Sequence, residues 1–408
     1  MVPSANEGQR RRWMMLALVS LSHIVGATGQ YSINTLAPFY QTDLQLSRTQ
    51  VGLFFSAFYV GMAVLSFPAG WLTDRLGVGK TTLGGHLFLG FFTLAAAWSP
   101  SFGWAFASFL FAGLGYSFLN PASTKGVMAW FHSEERATAM GLKQTGVPAG
   151  GVITAVVAPS LVLFIGWRGA LAVLGILNLL FGLVFRTLWR EPPEENRRIE
   201  GLEGAAIGTS RLTLIRLSAV SFGTAALLTA QMSLITYVPL YLKEALGLSP
   251  YWASQALALA QIGGMTGRIG WGVISDRLFG GRRKEVLLLV GVVSITLAWL
   301  LSIAATHRSL TFVLPVIFLA GVCMIGYQGV SYALVGELAG TARTGAALGI
   351  VISVNSLGAI FGTPFFGYLV DKTGSYSLAW NALGATVLLG VLVLKFFFDE
   401  PAKGDRMA

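Results

Sequence analysis

Long apolar runs follow one another along almost the whole chain, separated by short polar breaks or by Gly and Pro. A helix needs about 20 mostly apolar residues to cross the hydrocarbon core of a bilayer, and these runs reach that length. Of the 408 residues, 54% are hydrophobic and only 11% are charged, which is typical of a polytopic membrane protein and excludes a soluble domain. The sequence therefore predicts an all-α integral membrane protein.

Twelve runs are long enough to cross the membrane, and we number them as spans in chain order. Their ranges are 13–36, 50–71, 80–98, 102–124, 137–165, 168–188, 212–242, 252–272, 286–305, 309–333, 344–369 and 377–398. The longest polar stretch, Trp189–Arg211, follows span six and separates two groups of six spans. We therefore expect an N-terminal six-helix bundle at 1–188, a cytoplasmic linker at 189–211, and a C-terminal six-helix bundle with a short cytoplasmic tail at 212–408.

The net charge of +10 could indicate a nucleic-acid-binding surface, but its distribution along the chain excludes one. Most of the 28 Lys and Arg residues lie at the two termini or in the connections that follow even-numbered spans. An excess of Lys and Arg marks the cytoplasmic connections of membrane proteins. We therefore expect a multi-pass protein of the plasma (bacterial inner) membrane, with both termini in the cytoplasm.

Catalytic and metal-binding constellations are absent from the sequence. The single cysteine, Cys323, lies in span ten, and the four histidines are scattered along the chain. No nucleophile elbow and no phosphate-binding loop occurs. The sequence therefore predicts a protein that is not an enzyme and needs no metal or cofactor. Separately, we expect a monomer.

Short matches in the same order relate the two halves of the chain. The pattern Gly-x-x-x-Asp-Arg at 70–75, after span two, recurs at 272–277, after span eight, at an offset of 202. Three further pairs follow with a slowly drifting offset: Gly115-Tyr116 with Gly326-Tyr327, the Gly-x-x-x-Gly element at 146–150 with that at 358–362, and Arg136 with Arg343. Each match is weak alone, but their common order predicts a duplicated fold.

The Gly-x-x-x-Asp-Arg signature after span two, its echo after span eight and the central polar linker resemble the major facilitator superfamily of secondary transporters, over nearly the whole chain. The resemblance implies two pseudo-symmetric six-helix bundles that rock about a central site near the bilayer midplane, in alternating access. It also implies that spans one, four, seven and ten line the cavity, with help from spans two, five, eight and eleven.

The signature residues Asp74, Arg75, Asp276 and Arg277 lie at the cytoplasmic ends of their helices. A carboxylate there can pair with a cation or with a helix N-terminus, whose dipole favours negative charge. The family resemblance gives these residues a gating role. The alternative is that they are solvated loop charges.

Arg268 lies inside span eight, where a fixed cation costs roughly 2.5–3.5 kcal/mol unless it faces a cavity or a partner. No acidic residue neighbours it within the membrane, and its counterpart in the first half, Ser66, is neutral. Four glycines around Arg268 leave space for a ligand or for a neighbouring helix. We expect Arg268 to bind an anion; the alternative is that its side chain snorkels to the interface.

Other polar side chains at membrane depth are candidates for substrate contact. Tyr116 and Tyr327 occupy matching places in two cavity-lining spans, and a phenol can orient a small carboxylate. Asn120 lies one turn after Tyr116, and Gln261 shares a helix face with Arg268. The remaining candidates are Leu142, which offers an apolar wall, Lys143 and Asn355. The alternatives are packing for the tyrosines, interhelical hydrogen bonds for the amides and an interfacial position for Lys143.

An Arg in span eight before Gly-x-x-x-Asp-Arg is similar to the monocarboxylate transporter and oxalate:formate antiporter group. Two departures qualify this similarity. The apolar body of span eleven has no Lys or Arg, unlike oxalate exchangers, which favours a single carboxylate. Animal-type monocarboxylate transporters carry an Asp one turn before the Arg, where this chain has Gly264, and no Asp or Glu lies deep in any span.

These features together predict a secondary active transporter of a small organic anion. We expect a monocarboxylate such as lactate or pyruvate, carried together with a proton. The alternatives are a larger organic acid, an inorganic anion such as nitrate or cyanate, export of a hydrophobic drug, or a transporter-like membrane sensor that signals through the linker.

Overall fold

The computed structural model describes residues 5–131, 133–190, 211–307, 309–339 and 344–400, and within these ranges each regular element is a helix. In chain order the α-helices are α1 (Ala5–Thr35), α2 (Ala37–Asp43), α3 (Arg48–Leu76), α4 (Val78–Ala97), α5 (Phe102–Tyr116), α6 (Leu119–Trp130), α7 (Ser133–Leu188), α8 (Arg211–Glu244), α9 (Pro250–Gln255), α10 (Leu257–Arg277), α11 (Arg283–His307), α12 (Leu310–Ala320), α13 (Gln328–Ala339), α14 (Thr344–Thr373) and α15 (Tyr376–Phe397). A π-helical turn, Gly321–Ile325, follows α12.

The all-α membrane fold is confirmed. Among the described residues, 8 stretches are long and apolar enough to cross a membrane, and one of them, Ala139–Leu188, is 50 residues long. That stretch contains two spans, because α7 is interrupted at Gly166, whose φ of 69° favours glycine. The break falls between spans five and six, where the sequence predicts it. Most of the expected linker, together with Arg343, lies outside the described residues.

By internal contacts the chain divides into two compact units. Unit 1 contains Met1–Leu36 and Ala57–Ala205, and unit 2 contains Ala37–Ser56 and Ala206–Ala408. The short helix α2 and the first part of α3 therefore belong with the C-terminal half.

In unit 1, α7 packs against both α1 and α4. The Gly-x-x-x-Gly element of span five faces α1, since a Cβ at Gly150 would overlap the carbonyl oxygen of Ile24. At one end of the unit, Phe185 stacks on Trp189 at 5.4 Å within a core that also contains Met15 and Val127. The glycines thus allow the close helix packing that small residues give membrane helices.

In unit 2, α14 and α15 pack against α8. The matching Gly-x-x-x-Gly element of span eleven faces α8, since a Cβ at Gly358 would lie 2.5 Å from the carbonyl oxygen of Ala225. The element therefore packs on the first long helix in each unit, α1 or α8. This equivalence agrees with the duplication predicted from the sequence.

Spans four and ten are both broken, at the matched Gly-Tyr pairs. In span four, α5 ends at Tyr116 and α6 begins at Leu119. In span ten, the π-helical turn leads to a turn at Gly326 and Tyr327 before α13 begins. The Gly326 N–H bonds the carbonyl of Gly321, five residues back, at 3.2 Å. Broken helices at membrane depth, and π-helical turns, often mark functional sites.

Candidate functional site

Arg268 lies on α10 beside the break in span ten. Its Nη2 donates a hydrogen bond to Oε1 of Gln328, the first residue of α13, at 2.5 Å. Tyr327, at the break, and Tyr332, one turn after Gln328, also lie near Arg268. We call Arg268, Tyr327, Gln328 and Tyr332 the Arg268 cluster. It brings a cation together with an amide and two phenols, and the amide of Gln328 orients the guanidinium.

Close packing of α10 on span ten fixes the place of Arg268. A Cβ at Gly267 would overlap the carbonyl oxygen of Val322, and a Cβ at Gly263 would overlap that of Phe318. These two glycines therefore accommodate a neighbouring helix rather than a ligand. Gly270, by contrast, has nothing within 4 Å of an added Cβ. The glycine-rich sequence thus brings the backbones of α10 and span ten together, with Arg268 next to the contact.

Gln261 lies on α10 seven residues before Arg268, so the two share a helix face about 10 Å apart along the axis. The side chain is fully buried, and in the described part of the chain neither its Oε1 nor its Nε2 has a hydrogen-bond partner. Buried amides are normally hydrogen-bonded, so each exception needs an explanation. A bound polar ligand is one.

Unit 1 holds a second interior cation, Lys143 on α7. Its side chain is 0% exposed, and its Nζ donates to Oδ1 of Asn120 at 3.1 Å and to Oγ1 of Thr124 at 2.8 Å. Both partners are on α6, just after the break in span four. Asn120 itself is exposed. We call Lys143, Asn120 and Thr124 the Lys143 cluster.

Two buried histidines lie on the helices around the Lys143 cluster. His23 of α1 bonds Oγ of Ser123 through Nε2 at 2.6 Å. His86 of α4 is held by both ring nitrogens, by Ser22 at 2.8 Å and by Asn178 at 3.1 Å. The sequence places these histidines far apart, and the fold brings both into the interior of unit 1.

The other candidate residues lie in varied settings. Tyr116 is buried against Phe58, with ring centroids 5.4 Å apart. Leu142 is 46% exposed, next to Lys143. Asn355 on α14 accepts a hydrogen bond from Oγ1 of Thr224 on α8 at 3.2 Å. The structure thus joins Asn120 with Lys143 in one unit and Tyr327 with Arg268 in the other.

The signature residues of unit 2 take part in an ion-pair network at the end of α10. Asp276 pairs with Arg283 at 2.6 Å, and Arg283 also pairs with Glu337 at 3.1 Å. Arg283 thereby connects the ends of α10, α11 and α13. Arg277 is exposed. In unit 1, the guanidinium of Arg75 lies over the ring of Trp71 at 3.8 Å, and the side chains of Asp74 and Arg136 lie outside the described part.

Sequence reasoning missed several members of these clusters. Gln328 and Tyr332 are four apart on α13, which places them on one face, and this spacing was the available signal. Thr124 has the same relation to Asn120 on α6. A carboxylate cluster was also missed, in which Glu244 and Asp371 both pair with Arg48, at 3.0 and 3.6 Å.

Comparisons with known proteins agree with this architecture. The sequence matches the family described as Major Facilitator Superfamily over residues 19–351 and 271–406. It is 27% identical to a protein named probable sulfoacetate transporter SauU from Cupriavidus necator, covering 96% of this chain and 94% of that protein. It is 28% identical to monocarboxylate transporter 13 of Rattus norvegicus, covering 83% and 79%.

The fold also resembles a solved structure. A bacterial homolog of the human lysosomal transporter Spinster, described as inward-facing and occupied, superimposes with a TM-score of 0.73. The alignment covers 95% of this chain and 96% of that one, at 18% sequence identity. At that identity the likeness shows the fold alone.

Proposed function

Because this chain belongs to the major facilitator superfamily of transporters, we propose that it carries a small organic acid across the membrane as an anion, and that Arg268 holds the acidic group. The observation that carries the proposal is the Arg268 cluster, which combines a cation with an amide and two phenols inside a span. The relatives support the class of substrate, since one is named for sulfoacetate and another for monocarboxylates.

The chemistry of the cluster suits a carboxylate or a sulfonate. A guanidinium presents five N–H donors in a planar fork that matches the two oxygens of a carboxylate, and Gln328 takes one of them. The phenols of Tyr327 and Tyr332 can donate further hydrogen bonds to the acid. Away from water these charge-assisted bonds are stronger than they are in solution.

Lactate and pyruvate remain predictions, and the structure favours a second kind of substrate as well. The backbone positions of Gln261 and Arg268 lie about 10 Å apart along α10, and within the described residues the Gln261 amide has no hydrogen-bond partner. An acid with a polar group at its far end, such as a hydroxylated sugar acid, could satisfy both residues. We therefore rank longer organic acids beside the monocarboxylates.

The remaining parts of the proposal follow the sequence analysis. We place both termini in the cytoplasm because Lys and Arg are concentrated in the connections on that side. We assign gating to the signature residues Asp74, Arg75, Asp276 and Arg277. Tyr116, Asn120, Leu142 and Asn355 are proposed to shape the substrate cavity, and transport is proposed to be coupled to protons.

Transport assays in proteoliposomes test the substrate class. Exchange of labelled lactate, a sulfonated acetate, a hexuronate, nitrate and a lipophilic cation should show saturable exchange of organic acids only. Arg268→Gln removes a charge-assisted hydrogen bond worth about 1.5–3 kcal/mol, so substrate affinity should fall roughly 10- to 100-fold. Lys395→Gln, at the exposed end of α15, is the control and should exchange normally.

Two outcomes would contradict the proposal. Normal affinity in Arg268→Gln would remove Arg268 from the site. Transport of the lipophilic cation without exchange of any acid would overturn the substrate class.

A second comparison tests the length of the substrate. If Gln261→Leu loses exchange of the hexuronate but keeps exchange of lactate, the longer acids are the preferred substrates.

A further inference from the structure

Proton-coupled transport needs a group that takes up a proton on one side of the membrane and releases it on the other. All acidic residues of the described helices lie within one turn of a helix end. Arginine side chains stay protonated in proteins, so Arg268 cannot be this group. In unit 1, the basic side chains that can exchange a proton and are fully buried are His23, His86 and Lys143.

Of these three side chains, Lys143 is the one whose charged form most needs a counter-charge. Its ammonium has three N–H donors, and the two hydrogen bonds that it makes go to neutral oxygens of Asn120 and Thr124. No carboxylate in the described part of the chain forms an ion pair with it. A buried charge without a counter-charge costs several kcal/mol. The protonated form of Lys143 therefore needs an anion from outside the protein.

The helices that pack against α7 supply no such anion. They are α1, α4 and α6. More than one turn from the helix ends, none of their charged or titratable side chains is a carboxylate: these are Arg10, Arg11, Arg12, His23 and Tyr31 on α1, His86 on α4 and Lys125 on α6. Lys125 is directed to the carbonyl oxygen of Thr73 at 3.5 Å. The surroundings of Lys143 are thus neutral or basic.

The neighbouring histidines fit the proton-carrying role less well. Both ring nitrogens of His86 are engaged, by Ser22 and Asn178, so a second ring proton would break one of these bonds unless Asn178 or Ser22 reorients. Within the described residues Nδ1 of His23 has no hydrogen-bond partner, but its other nitrogen bonds Ser123. His23 therefore remains the rival that an experiment has to separate from Lys143.

We propose that Lys143 is the proton-carrying residue of this transporter, an inference that rests on the anion transport proposed above. In the absence of substrate Lys143 is a neutral amine. The negative charge of a bound substrate favours the ammonium, so Nζ takes a proton from water on the side where the substrate enters. When the anion leaves on the other side, the ammonium loses its counter-charge and the N–H bond breaks, returning the proton to water there.

This coupling is reciprocal and neutralises the cargo. If substrate favours protonation, protonation must favour substrate by the same free energy. A monovalent anion and one proton then cross together without net charge. The exposed Asn120, hydrogen-bonded to Nζ, gives the ammonium a polar contact at the protein surface.

Lys143→Arg is the sharpest test, because arginine keeps the positive charge and does not release its proton. In the wild type, substrate affinity should fall as the pH rises, by up to about tenfold per pH unit, the limit for one linked proton. In Lys143→Arg, affinity should be independent of pH. Anion exchange should continue, whereas accumulation driven by a pH gradient and the accompanying proton flux should be lost.

A second variant covers the case in which arginine does not fit the buried site. Lys143→Gln can still hydrogen-bond with Asn120 and Thr124 but carries no charge, so it should bind substrate weakly and without pH dependence. His23→Gln and Lys395→Gln should keep both the pH dependence and the proton flux. Accumulation driven by a pH gradient in either Lys143 variant, or its loss in His23→Gln, would overturn the proposal.

The assay separates this inference from the transport function on which it rests. If the wild type exchanges no organic acid, the proposed function fails. If the wild type exchanges acids but shows neither proton flux nor pH-dependent affinity, the transport function stands and the role of Lys143 is refuted.

Discussion

Asp371 near the end of α14 fixes the beginning of α3, and its replacement by Asn should loosen that helix end. Its Oδ1 accepts the backbone N–H of Arg48 at 3.0 Å, and its Oδ2 accepts the backbone N–H and Oγ1 of Thr49 at 2.8 and 2.6 Å. These N–H groups are donors that a helix N-terminus leaves without an intrahelical partner. Asp371 therefore caps α3 from another helix of unit 2.

The size of the effect follows from the contacts that Asn cannot keep. In Asn an NH2 group replaces one of the two carboxylate oxygens. At least one of the three hydrogen bonds is therefore lost, and the NH2 group faces the N–H or O–H that donated it. A hydrogen bond to a charged group contributes about 1.5–3 kcal/mol, and loss of an N-cap costs about 1 kcal/mol. The Asp371 side chain is 21% exposed, which reduces the free energy that its hydrogen bonds contribute. We expect a loss of about 2 kcal/mol, or roughly 30-fold faster local opening.

Hydrogen exchange followed by mass spectrometry of the peptide that contains Arg48 and Thr49 measures this opening. Asp399→Asn is the matched control, because Asp399 is 99% exposed and pairs only loosely with Lys284, at 3.6 Å. Unchanged exchange in Asp371→Asn, or equal acceleration in Asp399→Asn, would refute the capping argument.

Two further predictions concern α10. Gly267→Ala should lower the thermal unfolding midpoint strongly, because its Cβ would overlap the backbone of Val322. Gly270→Ala has no described atom within 4 Å of the added Cβ and should keep or raise the midpoint through better helix propensity. Equal midpoints would contradict the close packing of α10 on span ten. Gln261→Leu should leave the unliganded protein as stable or up to about 2 kcal/mol more stable, because the buried amide has no partner to lose. A marked fall in its unfolding midpoint in detergent would show that the amide is satisfied within the protein.

The sequence predicts the spans well because length and hydropathy determine them. The break between spans five and six was predicted and lies at Gly166. The breaks in spans four and ten, at the two Gly-Tyr pairs, were not predicted. The π-helical turn was not predicted. At its first residue, Gly321, the backbone of α10 comes so close that a Cβ would overlap the carbonyl oxygen of Ala260. Hydropathy reports how long a helix is, but not which neighbour approaches it.

The clusters were only half predictable for the same reason. Lys143 and Asn120 were both candidates, yet nothing in the sequence pairs span five with span four at that depth. The glycines around Arg268 were expected to leave space for a ligand or for a neighbouring helix, and at Gly263 and Gly267 the neighbour is span ten, through α12 and the π-helical turn. Side-chain partners depend on helix rotation and register, which a run of apolar residues does not specify.

The duplicated fold allows the positions of Lys143 and Arg268 to be compared with their counterparts in the other half. At the offset of the matching Gly-x-x-x-Gly elements, Lys143 corresponds to Asn355. At the offset of the Gly-x-x-x-Asp-Arg patterns, 202, Arg268 corresponds to Ser66. Each unit therefore has one cation at a position where the other unit is neutral, and each cation bonds an amide beside a broken span.

The two cations also differ in kind. A guanidinium keeps its charge under all conditions that the cell offers, so it suits a permanent contact to an acid, whereas a primary amine can exist without its proton. Duplication alone would have produced two equal positions. Because the chain instead carries a fixed charge in unit 2 and an exchangeable one in unit 1, substrate holding and proton holding can be assigned to different halves of the molecule.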